Sequence, residues 1–590
     1  MRLSRGNRVV ALLAATSLVL AACGGDDDTA TEEPTVDDTV ADDTDDPDDT
    51  DDPDDTDDPD DTDDPDDTDD PDDTDEPDDT DDPVDPVDAP CDATIPGSQI
   101  DYGIFAPNAA FDPVGSSGAL VGGTEIAAVY DVLFIFDPTT LEVRPHLAES
   151  LTADNDDFTV WTMTLREGIT YSDGTPLTAQ LVADNNERYF ADEGVRNTSG
   201  GFLQYIEETE IVDDLTLRFT LNTPFAEFGL VFADEPGMVV NLDVIGDDAN
   251  ELKTAGPDVD AFRVQPPDAA GVGPYVVERN VPGEETILRA RDDYWGGPVC
   301  VETIRFTWIP GSAGTYDAFR SGELDVAFLR DPVVNQQAID DGVQHFYFPQ
   351  DGGAMINFNH REGRATADPR LREAIMLALD PEIINDRAYQ GALNTTLSYI
   401  GPDSPYYSDA VEERTLDTER AAALVEEVKA DGWDGTLNFV AGNAPPGPDS
   451  AIAIEAMLGA VGIELDTELM ATGDSIARLG TGDFDIITNG WNSGPGTMVL
   501  SLIRNLSSTS PTNRMGYASD AMDALLDDAL ATPFADLAPV LAAINNQINE
   551  EFVSPPFGST SEGVVWTDDV SGLVPTVSTI FLFHDAVVTN

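Results

Sequence analysis

Apolar and polar residues alternate, with the period of a β-strand, in three segments of the chain after residue 90. The apolar positions are Trp161, Met163 and Leu165 in the first segment, Leu215, Leu217, Phe219 and Leu221 in the second, and Ile304, Phe306 and Trp308 in the third. Side chains of a strand point alternately to its two faces, so this period sets one face against a core and the other toward solvent. The pattern therefore predicts three half-buried strands.

A helix is predicted after Asp368. Asp368 can cap the first turn, Pro369 suits the first helical position, and Leu371, Ile375 and Leu379 recur on one side. Strands and helices mixed in this way along the chain indicate an α/β protein. Because the folded region has about 500 residues, more than a single core usually supports, we expect two lobes or more.

The first 22 residues have the layout of a secretory signal, with three arginines, an apolar run over residues 9–22 and small residues after it. The run is shorter than the roughly 20 residues of a spanning helix, and an uncleaved membrane anchor is the alternative. The segment Leu20-Ala21-Ala22-Cys23 resembles the bacterial lipobox. That resemblance implies that Cys23 is lipidated and tethers the protein to the outer face of the bacterial cell membrane, since two or more acyl chains give stable anchoring.

Residues 23–90 form an acidic linker of Asp, Thr and Pro. The sequence DDTDDP occurs seven times over residues 42–83, once with Glu76 in place of Asp, and residues 26–90 contain no basic or aromatic residue. The repeat has no apolar face to bury, so we expect disorder, with like charges stretching the linker beyond the roughly 45 Å of a neutral chain. Calcium binding is the alternative, but the repeat lacks the turn glycine of a defined site.

The chain has 117 acidic and 27 basic residues and a net charge of −90. This charge excludes nucleic acid as a natural partner, because binding to phosphates needs cationic side chains.

Cys91 and Cys300 are the two cysteines beyond Cys23. In an exported chain an even number suggests a disulfide, so we predict a Cys91–Cys300 bond, with two buried free thiols as the alternative.

Five segments resemble the family 5 solute-binding proteins, the extracytoplasmic receptors of oligopeptide, dipeptide and nickel ABC importers. They are residues 145–189, which include SDGTPLTA, residues 271–297, which begin GVGPYVVERN, residues 316–329, YDAFRSGELDVAFL, residues 356–380, which begin INFNHREGRA, and residues 482–491, GDFDIITNGW. In SDGTPLTA, Asp173 and Gly174 suit a tight turn and Thr178 suits a helix cap. The resemblance covers nearly all of the chain from Ile100 to Asn590.

The resemblance implies a two-lobed α/β fold of the periplasmic-binding-protein type II, in the large variety that binds peptides, with a hinge between the lobes. The first lobe would take residues 91–309 and the return segment 556–590, and the second lobe would take residues 310–555. A chain that crosses the hinge twice suits rigid-body closure around a solute held between the lobes.

The function that the resemblance implies is that of a membrane-tethered, monomeric receptor outside the cytoplasm. It would capture a peptide-like or other small solute and deliver it to an ABC permease with its ATPase. A receptor that serves a membrane sensor is the alternative.

Trp491 is the first candidate for the solute cleft, because NGW follows the strand-like run FDII where the family's ligand-lining segment falls. Its aromatic face would offer a large contact area at a low entropic cost. Asn492, Ser493, Asn357 and Asn359 complete the set of candidate ligand-binding residues. A role of Trp491 in core packing alone is the alternative.

The segment after Trp491 also predicts which solutes are not bound. In oligopeptide receptors of the family it supplies an aspartate that holds the α-ammonium group of the peptide. Residues 492–496 contain no acid, Asp485 lies upstream in a strand-like run, and Asn492 and Ser493 cannot neutralise an ammonium group. We therefore expect a blocked or modified peptide, or a non-peptide solute that is opine-like or glycan-like. A distant acid that replaces the missing one is the alternative.

No enzyme signature accompanies these features. Neither G-x-S-x-G nor H-E-x-x-H occurs, and GVGPYV lacks the third glycine of a dinucleotide loop. The histidines show no pair at ligand spacing along the sequence, and each is expected to be a surface or locally satisfied residue: His146, His345, His360 and His584. We predict no catalytic residue, metal or cofactor, and a secreted hydrolase is an alternative that no motif supports.

Overall fold

The alternating segments form strands in the computed structural model, which describes residues 90–589 apart from residues 109, 117, 121, 192–199 and 247–255. The first two predicted strands bury most residues of their apolar face, namely Trp161, Met163, Leu165, Leu217, Phe219 and Leu221. Leu215, the first apolar position of the second segment, is only partly buried and precedes that strand, which begins at Thr216. These two predictions are confirmed. The predicted signal sequence, Cys23 and the acidic linker up to residue 89 lie outside the described residues.

The strands are, in chain order, β1 (Ile95–Ile104), β2 (Phe134–Asp137), β3 (Glu142–Pro145), β4 (Ala148–Ala153), β5 (Val160–Leu165), β6 (Ile206–Ile211), β7 (Thr216–Leu221), β8 (Tyr275–Val281), β9 (Glu285–Ala290), β10 (Val301–Trp308), β11 (Val326–Leu329), β12 (Gln344–Phe358), β13 (Asn394–Thr395), β14 (Thr436–Gly442), β15 (Glu464–Met470), β16 (Ile486–Thr488), β17 (Pro556–Trp566), β18 (Val570–Ser571), β19 (Val574–Pro575), β20 (Phe581–Leu582) and β21 (Val587–Val588).

The α-helices are α1 (Gly123–Tyr130), α2 (Ala179–Ala191), α3 (Pro257–Val264), α4 (Ser312–Arg320), α5 (Pro332–Asp340), α6 (Pro369–Ala378), α7 (Pro381–Ile384), α8 (Thr418–Ala430), α9 (Gly447–Ala460), α10 (Thr472–Thr481), α11 (Met498–Leu506), α12 (Asp520–Leu530) and α13 (Ala538–Glu550). Within the described part of the chain, no helix combines the length and the hydropathy of a membrane span.

Helix α6 begins where the sequence predicts. The Asp368 side chain accepts a hydrogen bond from Arg370 N at 2.9 Å, and Pro369 is the first helical residue. Leu371 and Ile375 are fully buried on the inner side of the helix. Leu379, the third predicted apolar position, is also buried but follows the last helical residue, Ala378, so the cap and the apolar period are realised as far as Ile375.

One residue of the third predicted strand departs from the expected pattern. Trp308 ends β10 and is 38% exposed, whereas Ile304 and Phe306 on the same face are buried. The pairing of β10 with β9 stops at Thr307, so Trp308 extends past the edge of that neighbour. The alternation identified the strand correctly, but it could not locate the end of the neighbouring strand.

One large mixed sheet runs through the protein in the order β15-β14-β16-β12-β17-β11-β1-β10-β9-β8, with β13 beside β17. Toward one end β1 pairs in parallel with β10 and β11, and toward the other β14 pairs in parallel with β15 and β16. The antiparallel strands β12 and β17 join these two parts. Separate apolar cores pack on the two parts, which gives an α/β protein with two lobes.

The ladder between β12 and β17 is interrupted where it passes from one part of the sheet to the other. Register shifts between Gln350 and Met355 leave residues 351–353, here named the bulge, without regular partners in β17. Gly352 has a φ of 59°, in the left-handed region that favours glycine. At Gly353 a Cβ atom would lie 2.0 Å from Thr560 Oγ1. Both glycines are therefore required by the local backbone.

A second sheet, in the order β4-β5-β7-β6, lies apart from the large one. Its buried face belongs to an apolar cluster that also includes residues of α11, α12 and α13. Trp491 is part of this cluster. The second sheet and the helices that follow Trp491 therefore share one core.

Cys91 and Cys300, the predicted pair, are bonded to each other, and their Cα atoms are 5.8 Å apart. Cys300 immediately precedes β10, and its carbonyl oxygen accepts a hydrogen bond from Ile95 N, at the start of β1, at 2.9 Å. The disulfide therefore fastens the entrance of β1 to its parallel neighbour β10.

Candidate functional site

The loop after β16 carries Trp491 and is fastened to the bulge. Trp491 N donates a hydrogen bond to Gly352 O at 2.9 Å, and Asp351 and Ser493 exchange two backbone hydrogen bonds of 3.0 Å each. At Gly490 a Cβ atom would lie 2.3 Å from Gly353 O, so only glycine allows this close approach. The bulge thus positions the loop at the junction of the two parts of the sheet.

The Trp491 side chain is held on two sides. Its Nε1 donates to Asn357 Oδ1 at 2.6 Å, and Asn357 Nδ2 donates to Asn489 O at 2.5 Å. Its ring packs against Tyr399, with ring centroids 5.1 Å apart. Only 3% of Trp491 is exposed, so it serves the core and offers a limited edge to the neighbouring cavities.

Two cavities meet at Trp491, a larger one of about 640 Å³ and a smaller one of about 230 Å³. Phe202, Gly490, Trp491 and Arg504 line both of them. The larger cavity is also lined by Asn357 and by further residues from two stretches of the chain, 201–222 and 476–515. Its volume is in the range of small-molecule sites, and it combines aromatic walls with polar groups.

The predicted residues Asn492 and Ser493 have different surroundings. Asn492 lines the smaller cavity with a φ of 50°, and its Nδ2 donates to Gly490 O at 3.3 Å. Ser493 is 1% exposed, and its hydroxyl is hydrogen-bonded to the Tyr399 hydroxyl. Ser493 therefore supports the loop and does not offer its hydroxyl to a cavity.

Asn357 and Asn359, one residue apart on either side of the end of β12, also differ. Asn357 lines the larger cavity and orients Trp491. Asn359 is fully buried and donates to Gly482 O and Phe484 O at 2.8 and 2.9 Å, while its Oδ1 accepts from Arg361 N at 3.2 Å. All of its polar atoms are used within the fold, which gives Asn359 a structural role.

Asp351 is an acid that lies behind the loop, where its backbone is hydrogen-bonded to that of Ser493. Burial raises the pKa of Asp351 to about 6, although it accepts hydrogen bonds from Gly401 N at 3.0 Å and Ser559 Oγ at 3.4 Å. Because its side chain is 3% exposed and faces these donors, it is occupied with fastening the bulge.

The charges around the two cavities are unequal. Arg504 and Arg514 line the larger cavity, and none of its described lining residues is an acid. The smaller cavity contains Glu562, which forms an ion pair with Arg330 at 3.0 Å and accepts a hydrogen bond from Thr579 Oγ1 at 2.6 Å. Glu562 is therefore the only carboxylate among the described residues that line the two cavities, and the ion pair with Arg330 already balances its charge.

A third cavity, of about 700 Å³, lies elsewhere. It is lined by the β2–β3 hairpin and residues 533–535, with Glu142, Glu149 and Glu227 among its walls. Neither Trp491 nor Arg504 is among its described lining residues, which distinguishes it from the two cavities above, although the β2–β3 hairpin also contributes Phe136 and Pro138 to the smaller cavity.

Two histidines lie close together, which corrects the expectation of four isolated ones. The ring centroids of His146 and His584 are 4.9 Å apart, and His146 Nε2 lies 2.6 Å from Asp131 Oδ1. Tyr294 donates to the other oxygen of Asp131 at 2.7 Å. Burial alone would raise the pKa of Asp131, but His146, His584 and the Tyr294 hydrogen bond lower it.

The donor atoms of Asp131, His146 and His584 lie within 4.8 Å of one another, close enough in principle for a metal ion. The Asp131–His146 contact of 2.6 Å is, however, the length of a charge-assisted hydrogen bond. We therefore assign the cluster to a buried hydrogen-bonded network. The sequence held no local signal for it, because its members come from distant segments.

Sequence reasoning missed both arginines of the larger cavity. A signal for them exists, because residues 486–519 contain Arg504 and Arg514 and no acid, although the chain has 117 acidic residues. No other acid-free stretch after residue 25 is as long.

The sequence profile described as "Bacterial extracellular solute-binding proteins, family 5 Middle" matches residues 142–513. Protein XP55 of Streptomyces lividans is 28% identical over 444 residues, 72% of this chain and 77% of that protein. The dipeptide-binding protein of Escherichia coli K12 is 24% identical over 428 residues, 68% of this chain and 78% of that protein.

Among solved structures, a dipeptide-binding protein of Pseudoalteromonas sp. SM9913 in complex with Met-Leu has a TM-score of 0.68 and 20% identity. The alignment covers 83% of this chain and all of that one, and it supports the two-lobed α/β fold. Because the family profile matches well over half of the sequence, the chain belongs to the family 5 bacterial extracellular solute-binding proteins.

Proposed function

We propose that this protein is the receptor of an ABC importer, which captures a peptide-like or other small solute outside the cytoplasm and delivers it to a permease and its ATPase. The observation that carries the proposal is the pair of cavities at Trp491, where the two parts of the sheet meet. Family members are binding proteins, and the E. coli relative is a dipeptide-binding protein. A receptor that serves a membrane sensor would use the same site, and a gene neighbourhood with permease and ATPase genes favours the importer.

The lobe boundaries are part of this proposal. The sequence predicts a second lobe over residues 310–555, but β11 pairs with β1, and the first half of β12 pairs with the second half of β17. We therefore place the crossings at the bulge, residues 351–353, and at residues 558–560 opposite it. These two short segments would form the hinge between the lobes.

The proposed function is tested by titration of the full chain with a solute library while tryptophan fluorescence is recorded. The solute library contains free and N-acetylated tripeptides, each as C-terminal acid and C-terminal amide, together with opines, sugars and sugar phosphates. We expect at least one member to change the fluorescence and to be recovered chemically unchanged. Recovery of a converted solute would instead indicate a hydrolase, and a library without any binder would contradict the receptor function.

Trp491 is expected to report this binding among the six tryptophans of the chain. Trp491→Phe should lose most of the fluorescence change and bind about tenfold more weakly, because it loses ring area and the hydrogen bond to Asn357. Trp433→Phe is the matched control, since Trp433 Nε1 donates to Thr436 O in another part of the chain. An unchanged affinity and signal in Trp491→Phe would show that Trp491 serves packing only.

We also propose that Cys23 carries the lipid anchor. Cys23→Ser should leave the protein unprocessed or released from the membrane, because serine has no thiol to accept the diacylglyceryl group. The Cys91→Ser/Cys300→Ser double variant is the control and should remain anchored. Mass spectrometry of the mature N-terminus decides the matter, and an unmodified Cys23 or a mature protein that begins elsewhere would overturn the proposal.

A further inference from the structure

The larger cavity at Trp491 is a cationic site in a strongly acidic protein. Arg504 and Arg514 line it, and neither guanidinium group forms an ion pair with any residue that the structure describes. Burial lowers the pKa of Arg504, the Tyr399 hydroxyl opposes this effect, and repulsion from Arg514 lowers the pKa further. Two neighbouring cations without a counter-charge are unfavourable until an anion joins them.

The sequence of the segment that lines this cavity also indicates that the two arginines have no acidic partner nearby in the chain. Residues 486–519, which build much of its wall, are free of acids over 34 positions, whereas the next longest acid-free stretch after residue 25 has 16. An acid in this stretch would be an internal competitor for the two arginines. Its absence leaves both guanidinium groups available to a solute.

The backbone near the arginines is fixed in place before a solute binds. Arg504 lies in the last turn of α11, and its carbonyl oxygen accepts hydrogen bonds from Ser510 Oγ at 2.9 Å and Thr512 Oγ1 at 3.1 Å. These bonds fold the loop that leads to Arg514 back onto the helix end. A site that is ordered in advance spends less binding free energy on ordering side chains.

We propose that the solute is an anion whose carboxylate or phosphate group is bound by Arg504, with Arg514 beside it, while its less polar part contacts Trp491, Phe202 and Tyr205. This inference rests on the proposed receptor function and narrows it to a class of solute. A planar guanidinium group binds either oxyanion through two parallel hydrogen bonds. No carboxylate of the cavity is free to hold an ammonium group, so a free amine on the solute is not required.

The test compares the solute library with the full chain and its variants by calorimetry at low ionic strength. We expect each binder to carry a carboxylate or phosphate, and its amide or unphosphorylated counterpart to bind at least tenfold more weakly. Binding of the C-terminal acids would identify a carboxylate as the bound group, and binding of the sugar phosphates would identify a phosphate. N-acetylation of a tripeptide should change the affinity by less than tenfold.

Arg504→Gln should weaken the binding of the same solutes by about 10- to 100-fold, the range expected for a lost charge-assisted hydrogen bond. Arg387→Gln is the matched control, because it removes the same charge from an arginine that is 47% exposed and distant in sequence. Without solute, the melting temperature of Arg504→Gln should be equal to or above that of the unmodified chain, since an unpaired cation is lost. Arg504→Lys keeps the charge but loses the planar guanidinium group that can form two parallel hydrogen bonds. This variant should therefore bind the solutes with intermediate affinity.

Several results would overturn the inference and leave the receptor function standing. They are tight binding of a neutral or cationic solute, equal affinity of Arg504→Gln for an anionic one, or a tenfold loss of affinity on N-acetylation. A library in which no member binds would instead contradict the receptor function itself. The two failures are therefore distinguishable.

Discussion

Replacement of both Cys91 and Cys300 by serine is expected to lower the free energy of unfolding by about 5 kcal/mol. The two residues are bonded across a sequence separation of 209, and a cross-link that closes so long a loop removes much conformational entropy from the unfolded chain. Cys300 is fully buried, so the serine hydroxyl that replaces its sulfur would add the cost of burying a polar group.

Urea denaturation of the full chain, followed by tryptophan fluorescence, measures this difference. The control is the unmodified chain with reductant, which should reproduce most of the loss once the disulfide is reduced in the unfolded state. A midpoint that changes by less than the equivalent of about 1 kcal/mol would show that the bond adds little to the β1–β10 pairing already present.

Arg188→Met is expected to lower the free energy of unfolding by about 3 to 5 kcal/mol. Arg188 on α2 donates two hydrogen bonds to Asp112, at 2.8 and 2.6 Å, and both side chains are essentially inaccessible to solvent. Arg263 Nε also reaches Asp112, at 3.2 Å, but from a more exposed position. The variant therefore leaves a buried carboxylate that has lost its bidentate partner.

The Arg188→Met comparison needs two controls. Arg144→Met removes the 3.3 Å pair with Asp137, in which the arginine is 51% exposed, and should cost less than about 1 kcal/mol because solvent screens surface pairs. The double variant Asp112→Asn/Arg188→Met removes the isolated charge and should recover part of the loss. Equal destabilisation by Arg188→Met and Arg144→Met would contradict the account of a buried ion pair.

Local sequence patterns were sufficient to predict individual strands and helices. The alternation that identified β5 and β7, and the Asp368-Pro369 start of α6, depend on neighbours a few residues apart. Where a strand meets its partner depends on distant segments, and for this reason the exposure of Trp308 at the end of β10 was not foreseen.

The candidate site was predicted only in part, for the same reason. Trp491 and Asn357 line the larger cavity, whereas Asn359 and Ser493 are used inside the fold. Asn357 and Asn359 are equivalent in the sequence, and their different roles arise from the backbone atoms that β16 and its flanking loops place beside each of them. The absence of acids around Arg504 was visible in the sequence, but only the fold shows that this stretch lines a cavity.

A crystal structure of the full chain with the member of the solute library that binds most tightly tests the central claim most directly. We predict that the solute lies in the larger cavity, with an oxyanion on Arg504 and its less polar part against Trp491. A solute in the third cavity, whose walls include Glu142, Glu149 and Glu227, or at any place without contact to Trp491 and Arg504, would contradict the assignment of the site.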